Sequence, residues 1–405
     1  MVTGTEVLTG RVSDQNGPWL AEQLRRLGVD VGQIVVVGDR PDDLRTALGW
    51  LSESNDLVIT SGGLGPTADD LTAEVVGQAQ GRASELDLAL EQRITTIVER
   101  LSARFGGLRD PESTAIATRK QAMVPVGSTV LEPTGTAPGL VVPVAAGRTG
   151  PPVIVLPGPP WELQKMWPAA VASEPVQARL AGAPELRQRT LRLWNVPESE
   201  LAATLRRADG TLTGLEVTTC LRDGELEIVS RYPPQAESAQ QQLVLAVRQD
   251  FPAQLFSADG ASVDEQVNRA LTDRGWTVAV AESATGGALS ARLTAAGADR
   301  VLGGLAVAAS RIALAEVSPE LSAAGAVSPE VAHAMALGAI ARFGADVGVG
   351  VTAIEVSGGL SAVHLNVVSP AGEQARSLSL GGAPEIVQQR IVPAAMHLLR
   401  QVLVG

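Results

Sequence analysis

With 405 residues the chain is long enough for two to four domains, each with its own core. Its residues are 45% hydrophobic but only 3% aromatic, which describes an aliphatic α/β interior. A formal charge of −12 argues against direct nucleic-acid binding, the lone Cys220 rules out an intramolecular disulfide or thiolate metal cluster, and no uninterrupted apolar run suits a membrane. A cytoplasmic protein is expected.

In chain order, Met1 to Glu6 runs straight into Val7 to Asn16, with little room for the first strand of a doubly wound domain, so the start given can lie several residues late. Asn16 and Pro18 signal a helix start, and Trp19, Leu20, Leu24 and Leu27 give it one apolar stripe. Gln33 to Val37 reads as a second strand ending at Gly38-Asp39, and Leu44, Ala47, Leu48 and Leu51 mark the next helix.

The most informative stretch follows, Asp56 to Thr72. Leu57, Val58 and Ile59 read as a buried parallel strand, and Leu71, Val75 and Ala79 recur at helical spacing after it. Between them Gly62, Gly63 and Gly65 lack Cβ, so backbone N–H groups can approach an anion at a helix N-terminus. The pattern is neither a dinucleotide fingerprint nor a P-loop. Asp69 and Asp70 would repel a phosphate unless a cation lay between them, which points to a divalent metal, Mg²⁺ or similar, shared by carboxylate and phosphate oxygens. Thr67 and Asp70 also fit a capping box, in which case Asp70 is a helix cap only.

Other segments can converge on the same edge, because ligands of parallel sheets bind beyond the carboxyl ends of the strands. Glu6 and Asn16 flank the first turn, Thr134 to Gly139 carries Thr136 in a small-residue loop, and Val153 to Pro160 repeats the strand-then-turn pattern with Gly158 before Trp161 and Glu162. Taken singly, a Gly-Pro loop is more often a plain turn, and Glu6 or Asn16 more often a cap or surface polar residue. Arg119 and Lys120 sit where an anion can use them, or form a solvated face.

Gly4-Thr-Glu6, Gly10 to Asn16, Gly62 to Thr72, Gly135 to Gly139 and Leu156 to Pro160, in this order and spacing, resemble the N-terminal domain of the CinA family of competence/damage-inducible proteins. That domain is similar to the molybdopterin-binding domain of molybdenum-cofactor biosynthesis enzymes. The resemblance implies a metal-dependent nucleotide pyrophosphatase acting on ADP-ribose or a related nucleotide diphosphate. Asp69 and Asp70 would then be the catalytic and metal-binding residues, with Glu6, Asn16, Gly62, Gly63, Gly65, Thr67, Thr136 and Gly158 around the substrate.

After about residue 170, Leu186 to Leu193, Leu215 to Thr219 and Glu225 to Ser230 read as strands and Gln235 to Val247 as a helix. No chemical constellation is visible there, and Cys220, at a strand end, reads as a small buried residue. A new unit begins near Ala261, where Trp276 to Gly287 repeats the strand, small turn and helix pattern. Glu282, Ser283 and Thr285 would sit at the mouth of this second sheet, with Gly286 and Gly287 opening the helix. Ser283 is a nucleophile if a base lies beside it, and otherwise an N-cap or ligand contact.

This segment resembles the family's C-terminal domain, a deamidase of nicotinamide mononucleotide, and Gly325 to Val331 continues the match. It also departs from the pattern. Active members carry a Tyr-Ser-Asn-x-x-Lys segment where this chain has Ala309 to Leu314, so both the phenol and the amine are missing. The family's Thr-Gly-Ile-Ala-Gly-Pro loop has become Thr352 to Ser357, and the cysteine after the serine is Ala284. Neither Ala309 nor Leu314 can accept a proton, and general-base help is worth about 10²–10⁴ in rate. An inactive deamidase pocket of Glu282, Ser283, Thr285, Gly286, Gly287, Ala309 and Leu314 is expected.

His333, His364 and His397 share no ligand spacing and read as structural or exposed, although His364 alternates away from Val363, Leu365 and Val367 and can face that pocket. The last helix, Ile386 to Val402, is expected to break at Pro393 and to pack internally or across a homodimer. The expected architecture is α/β, with a doubly wound molybdopterin-binding-like domain (1–170), a small α+β connecting domain (171–258) and a deamidase-like α/β domain (259–405). Two functions compete. One is a nucleotide diphosphate hydrolase; the other is a non-catalytic nucleotide-binding scaffold for a DNA-repair or recombination protein.

Overall fold

In the first part of the chain, short apolar runs that end in small residues fold as strands with helices returning over both faces. The computed structural model describes residues 1–103, 110–222, 224–308 and 327–404, in two units, Met1–Leu186 and Arg187–Gly405. The first unit contains β1 (Val2–Thr3), β2 (Val36–Val37), β3 (Val58–Ser61), β4 (Ser84–Leu86), β5 (Met123–Pro125), β6 (Thr129–Leu131), β7 (Gly139–Val142) and β8 (Val153–Leu156). Its main sheet has the order β2-β1-β3-β8-β7-β6, with β2, β1, β3 and β8 parallel and β7 and β6 antiparallel to their neighbours. β4 and β5 form a separate pair.

The helices of this unit are α1 (Thr5–Leu8), α2 (Asn16–Arg26), α3 (Pro41–Ser54), α4 (Thr72–Ala79), α5 (Leu88–Ala103), α6 (Pro111–Gln121), α7 (Pro160–Ala172) and α8 (Glu174–Leu180). Alternation along β8 shows why both faces are covered. Val153 and Val155 pack with Leu44 and Leu48 of α3 and Val75 and Val76 of α4, whereas Ile154 and Leu156 pack with Leu20 of α2 and Leu163, Met166 and Trp167 of α7. A strand buried on both sides reads as a continuous apolar run, as this one does. The second strand is shorter than the apolar run predicts, Val36–Val37, because its only ladder is to the two residues of β1.

The second unit holds two further sheets. β9 (Arg187–Trp194), β10 (Glu216–Arg222), β11 (Glu225–Tyr232) and β12 (Leu255–Ser257) are antiparallel in the order β10-β11-β9-β12. Leu191, Leu193, Leu226 and Ile228 bury one face of this sheet together with Leu201, Leu243 and Val247 from the helices Glu198–Ala208 and Glu237–Asp250. Cys220 corrects the expectation of burial: it is exposed, because β10 is an edge strand and few of its side chains lie beneath a covering helix.

The last sheet joins parallel strands β14 (Val301–Ala306), β13 (Val278–Glu282) and β15 (Val347–Val351) to antiparallel β17 (Leu360–Ser369), flanked by β16 (Glu355–Ser357) and β18 (Gly372–Gly381). Gly350 lets the helix Pro329–Phe343 lie against β15, since a Cβ there would fall 1.9 Å from the Ala332 carbonyl oxygen. The last helix, Pro384–Val404, does not break at Pro393. A proline inside a helix costs about 3 kcal/mol, but Ile391, Leu398 and Leu399 are fully buried around it, at about 1.5–3 kcal/mol each. No helix among the described residues is long and apolar enough to cross a membrane.

Candidate functional site

The carboxyl ends of β1, β2, β3 and β8 open into a cavity of about 380 Å³. Gly4 and Glu6 line it after β1, Asp39 after β2, Gly62 to Asp70 after β3, and Pro157 to Glu162 after β8, with Thr136 and Ala137 from the loop that enters antiparallel β7. The chain passes from β1 to β2 on one side and then to β3 on the other, so the cavity lies at the switch point where parallel sheets bind ligands.

All nine N-terminal residues expected there besides Asn16 line this cavity: Glu6, Gly62, Gly63, Gly65, Thr67, Asp69, Asp70, Thr136 and Gly158. Asn16 does not. It is buried, and its amide donates to the Ser61 hydroxyl at 2.8 Å and the Gly158 carbonyl at 2.7 Å, tying the ends of β3 and β8 together. Its contribution is to the cavity wall.

Glycine is required at the bend for local reasons. Gly62 has φ +105°, and a Cβ on Gly65 would stand 2.5 Å from Asp70 Oδ2. The Thr67 hydroxyl lies 2.6 Å from Asp69 Oδ1 and 2.5 Å from Asp70 Oδ2, and the Thr67 amide donates to Asp70 at 2.9 Å. A hydroxyl has one proton, so it satisfies one of the two carboxylates at a time. The capping-box reading of Thr67 and Asp70 is half realised: Asp70 reaches back to the Thr67 amide, but α4 starts only at Thr72, after Leu71, and has no side-chain cap. Thr67 holds the Asp69 carboxyl below its ordinary range first by its hydroxyl bond, with smaller help from backbone N–H and from Lys120. Asp69 is therefore ionised near neutrality and a poor proton acceptor.

Hard carboxylate and hydroxyl oxygens at this spacing fit a divalent cation, and Mg²⁺ is commonly held by one or two carboxylates with substrate phosphates and water. The chain would supply Asp69 and Asp70. Among the described residues no three His, Cys, Asp or Glu side chains converge to hold a metal without such help. Arg119 and Lys120 are not in the cavity lining. Arg119 lies 3.7 Å from Glu91, whereas the Lys120 ammonium donates to the Thr67 carbonyl and Gln121 donates to the Leu64 carbonyl at 3.0 Å, so the end of α6 holds the acidic loop from behind.

Two further carboxylates, Asp39 and Glu162, line the cavity; the sequence placed them near strand ends without giving them a role. Asp39 accepts from the Thr5 amide at 2.9 Å and hydroxyl at 2.8 Å. Glu162, in the first turn of α7, is only 8% exposed, and desolvation raises its pKa against the lowering effect of the Gly135 N–H. Asp39 follows Gly38 at a strand end, and Glu162 follows the Gly158 turn by four residues, which was the available signal.

In the second unit the expected pocket residues do not share one environment. Glu282 is fully buried and accepts from the Thr285 hydroxyl, the Leu289 amide at 3.1 Å, and the Ser290 amide at 2.9 Å and hydroxyl, so it anchors the start of the helix Ala288–Gly297. Thr285 is buried with it, Ser283 is half-buried with its amide on the Val351 carbonyl, and Gly287 is the left-handed N-cap, preceded by Gly286. Ala309 and Leu314 lie outside the described residues. His364 bonds to Ser377 at 2.8 Å, His333 to Glu373 at 2.9 Å, and His397 is fully buried.

Residues 1–177 match the family profile described as "Probable molybdopterin binding domain", and residues 260–403 match "CinA C-terminal domain". A CinA-like protein of Mycolicibacterium gilvum is 50% identical over 421 residues, covering 100% of this chain and 98% of its own. One from Mycobacterium tuberculosis is 47% identical over 423 residues, covering 100% and 97%. Among solved structures, the CinA protein of Thermoplasma acidophilum is 32% identical, covering 42% of this chain and 91% of its own, with a TM-score of 0.34. The two matched domains and the full-length relatives together establish that this chain belongs to the CinA family.

Proposed function

We propose that the first unit hydrolyses a nucleotide diphosphate such as ADP-ribose, with a divalent cation held by Asp69 and Asp70. The observation that carries this is the pair of carboxylates converging on the single Thr67 hydroxyl at the glycine bend, an arrangement short of positive charge. A cation there would offset the charge of a diphosphate and polarise its phosphoryl oxygens. The chain's own groups then have defined tasks. Backbone N–H groups at the bend hold phosphate oxygens, and Lys120 and Gln121 keep the bend in place by its carbonyls.

Changing Asp69 and Asp70 singly to Asn should lower turnover of ADP-ribose with Mg²⁺, followed as phosphate released by a coupled phosphatase. The loss should reach at least about a hundredfold, the upper end for losing a mere supporting partner of a metal. Unaltered turnover would remove these acids from the reaction. The deamidase-like unit is proposed to be inactive, since the buried Glu282 is consumed by holding a helix and the loop at Thr352 to Ser357 pairs into β16 and β17. Deamidation of nicotinamide mononucleotide by the purified protein would overturn that. Binding of nucleotide diphosphates without turnover would instead support a scaffold.

A further inference from the structure

Glu162 is a buried carboxyl in the wall of the cavity. It occupies the third residue of α7, where a glutamate ordinarily reaches back to the N-cap amide. Here the N-cap is Pro159, followed by Pro160, and a proline has no N–H to offer. The side chain turns to the Gly135-Thr136 loop instead, where a Cβ on Gly135 would fall 2.5 Å from Glu162 Oε1, so glycine makes room for the carboxyl. The Gly135 N–H donates to it, and among the described residues no cation pairs with it.

The charged groups facing the same cavity are Glu6, Asp39, Asp69 and Asp70, and Lys165, one turn along α7, lies instead over the Trp161 ring. Glu162 thus differs from Asp69. Glu162 is buried in the cavity wall with its desolvation favouring the neutral form, whereas Asp69 stands exposed on the bend beside the Thr67 hydroxyl. A buried carboxyl in the wall is placed for proton transfer, and the more exposed carboxylates on the bend are placed to hold charge.

Resting on the hydrolase reading of this site, we infer that Glu162 is the general base that takes a proton from the attacking water. The water oxygen bonds to one phosphorus as the bond from that phosphorus to the bridging oxygen breaks. The bridging oxygen leaves on the second phosphate with the electron pair, and the proton on Glu162 passes to solvent.

The test is a pH profile of ADP-ribose hydrolysis with Mg²⁺ for the wild type, Glu162→Gln and Glu162→Asp. Glu162→Gln should lower kcat by about 10²–10⁴-fold with KM within about threefold, and should lose the acidic limb of the kcat/KM profile. Glu162→Asp should keep that limb at reduced kcat. A Gln variant with wild-type kcat and an unchanged limb overturns the inference. If that variant does not fold, a wild-type acidic limb at or below the ordinary carboxylate range overturns it equally. A wild type that turns over no nucleotide diphosphate refutes the hydrolase reading itself, whereas turnover unaffected at Glu162 refutes this assignment alone.

Discussion

Glu282 shows how a single residue can carry a functional appearance and a structural role. Its carboxylate is an acceptor for four donors in a fully buried site, and an amide would present N–H groups where only acceptors fit. Glu282→Gln should therefore lower unfolding stability by about 2–4 kcal/mol in a urea titration; a change below about 0.5 kcal/mol would mean the helix start is held by other groups. Gly65 is the counterpart in the first unit. Adding a methyl in Gly65→Ala displaces the Asp70 carboxylate, so nucleotide-dependent thermal stabilisation should fall while the melting temperature of the ligand-free protein changes little.

At the scale of elements, the acidic bend depends on a partner about 50 residues away. The C-terminal turn of α6 delivers Gln121 to the Leu64 carbonyl and Lys120 to the Thr67 carbonyl. Gln121 is buried, so Gln121→Ala leaves a carbonyl without its donor at about 1–3 kcal/mol. Part of that cost should appear as weaker binding of ADP-ribose, measured by calorimetry at fixed Mg²⁺. The edge strand β10 makes a second prediction. Cys220 on its exposed surface should react with a thiol reagent in the native protein at one equivalent per chain, and slow labelling that requires denaturant would contradict its placement.

A buried junction in the second unit joins its last helix to the sheet of β9 to β12. His397 of the last helix stacks on Trp194 of β9 with ring centroids 4.0 Å apart and bonds to Glu225 of β11 at 2.9 Å, while Phe256 meets its edge. Burial lowers the His397 pKa below 6.5, outweighing the Glu225 contacts that raise it. The unfolded chain then binds a proton near pH 6.5 that the folded chain resists, so this contribution is intact above that pH and is lost as pH falls toward the folded value. Between pH 7.5 and 5.5 the wild-type melting temperature should drop further than that of His397→Gln. Equal drops would show that the junction does not titrate.

What the sequence determined was the local grammar. Apolar runs of strand length, glycine bends and the helical stripes after them follow from backbone sterics and side-chain period, which neighbouring residues set, so the α/β class, the bend at Gly62 to Gly65 and most of the cavity lining were legible. The tertiary structure decided what depends on distant partners. Asp70 turns back to Thr67 instead of capping α4, Asn16 joins two strand ends, Glu162 faces the cavity because Gly135 makes room, and Cys220 is exposed because its strand lies at an edge. Burial and hydrogen-bond partnership are properties of segments brought together by packing, and no local pattern encodes which carboxylate will be left facing water.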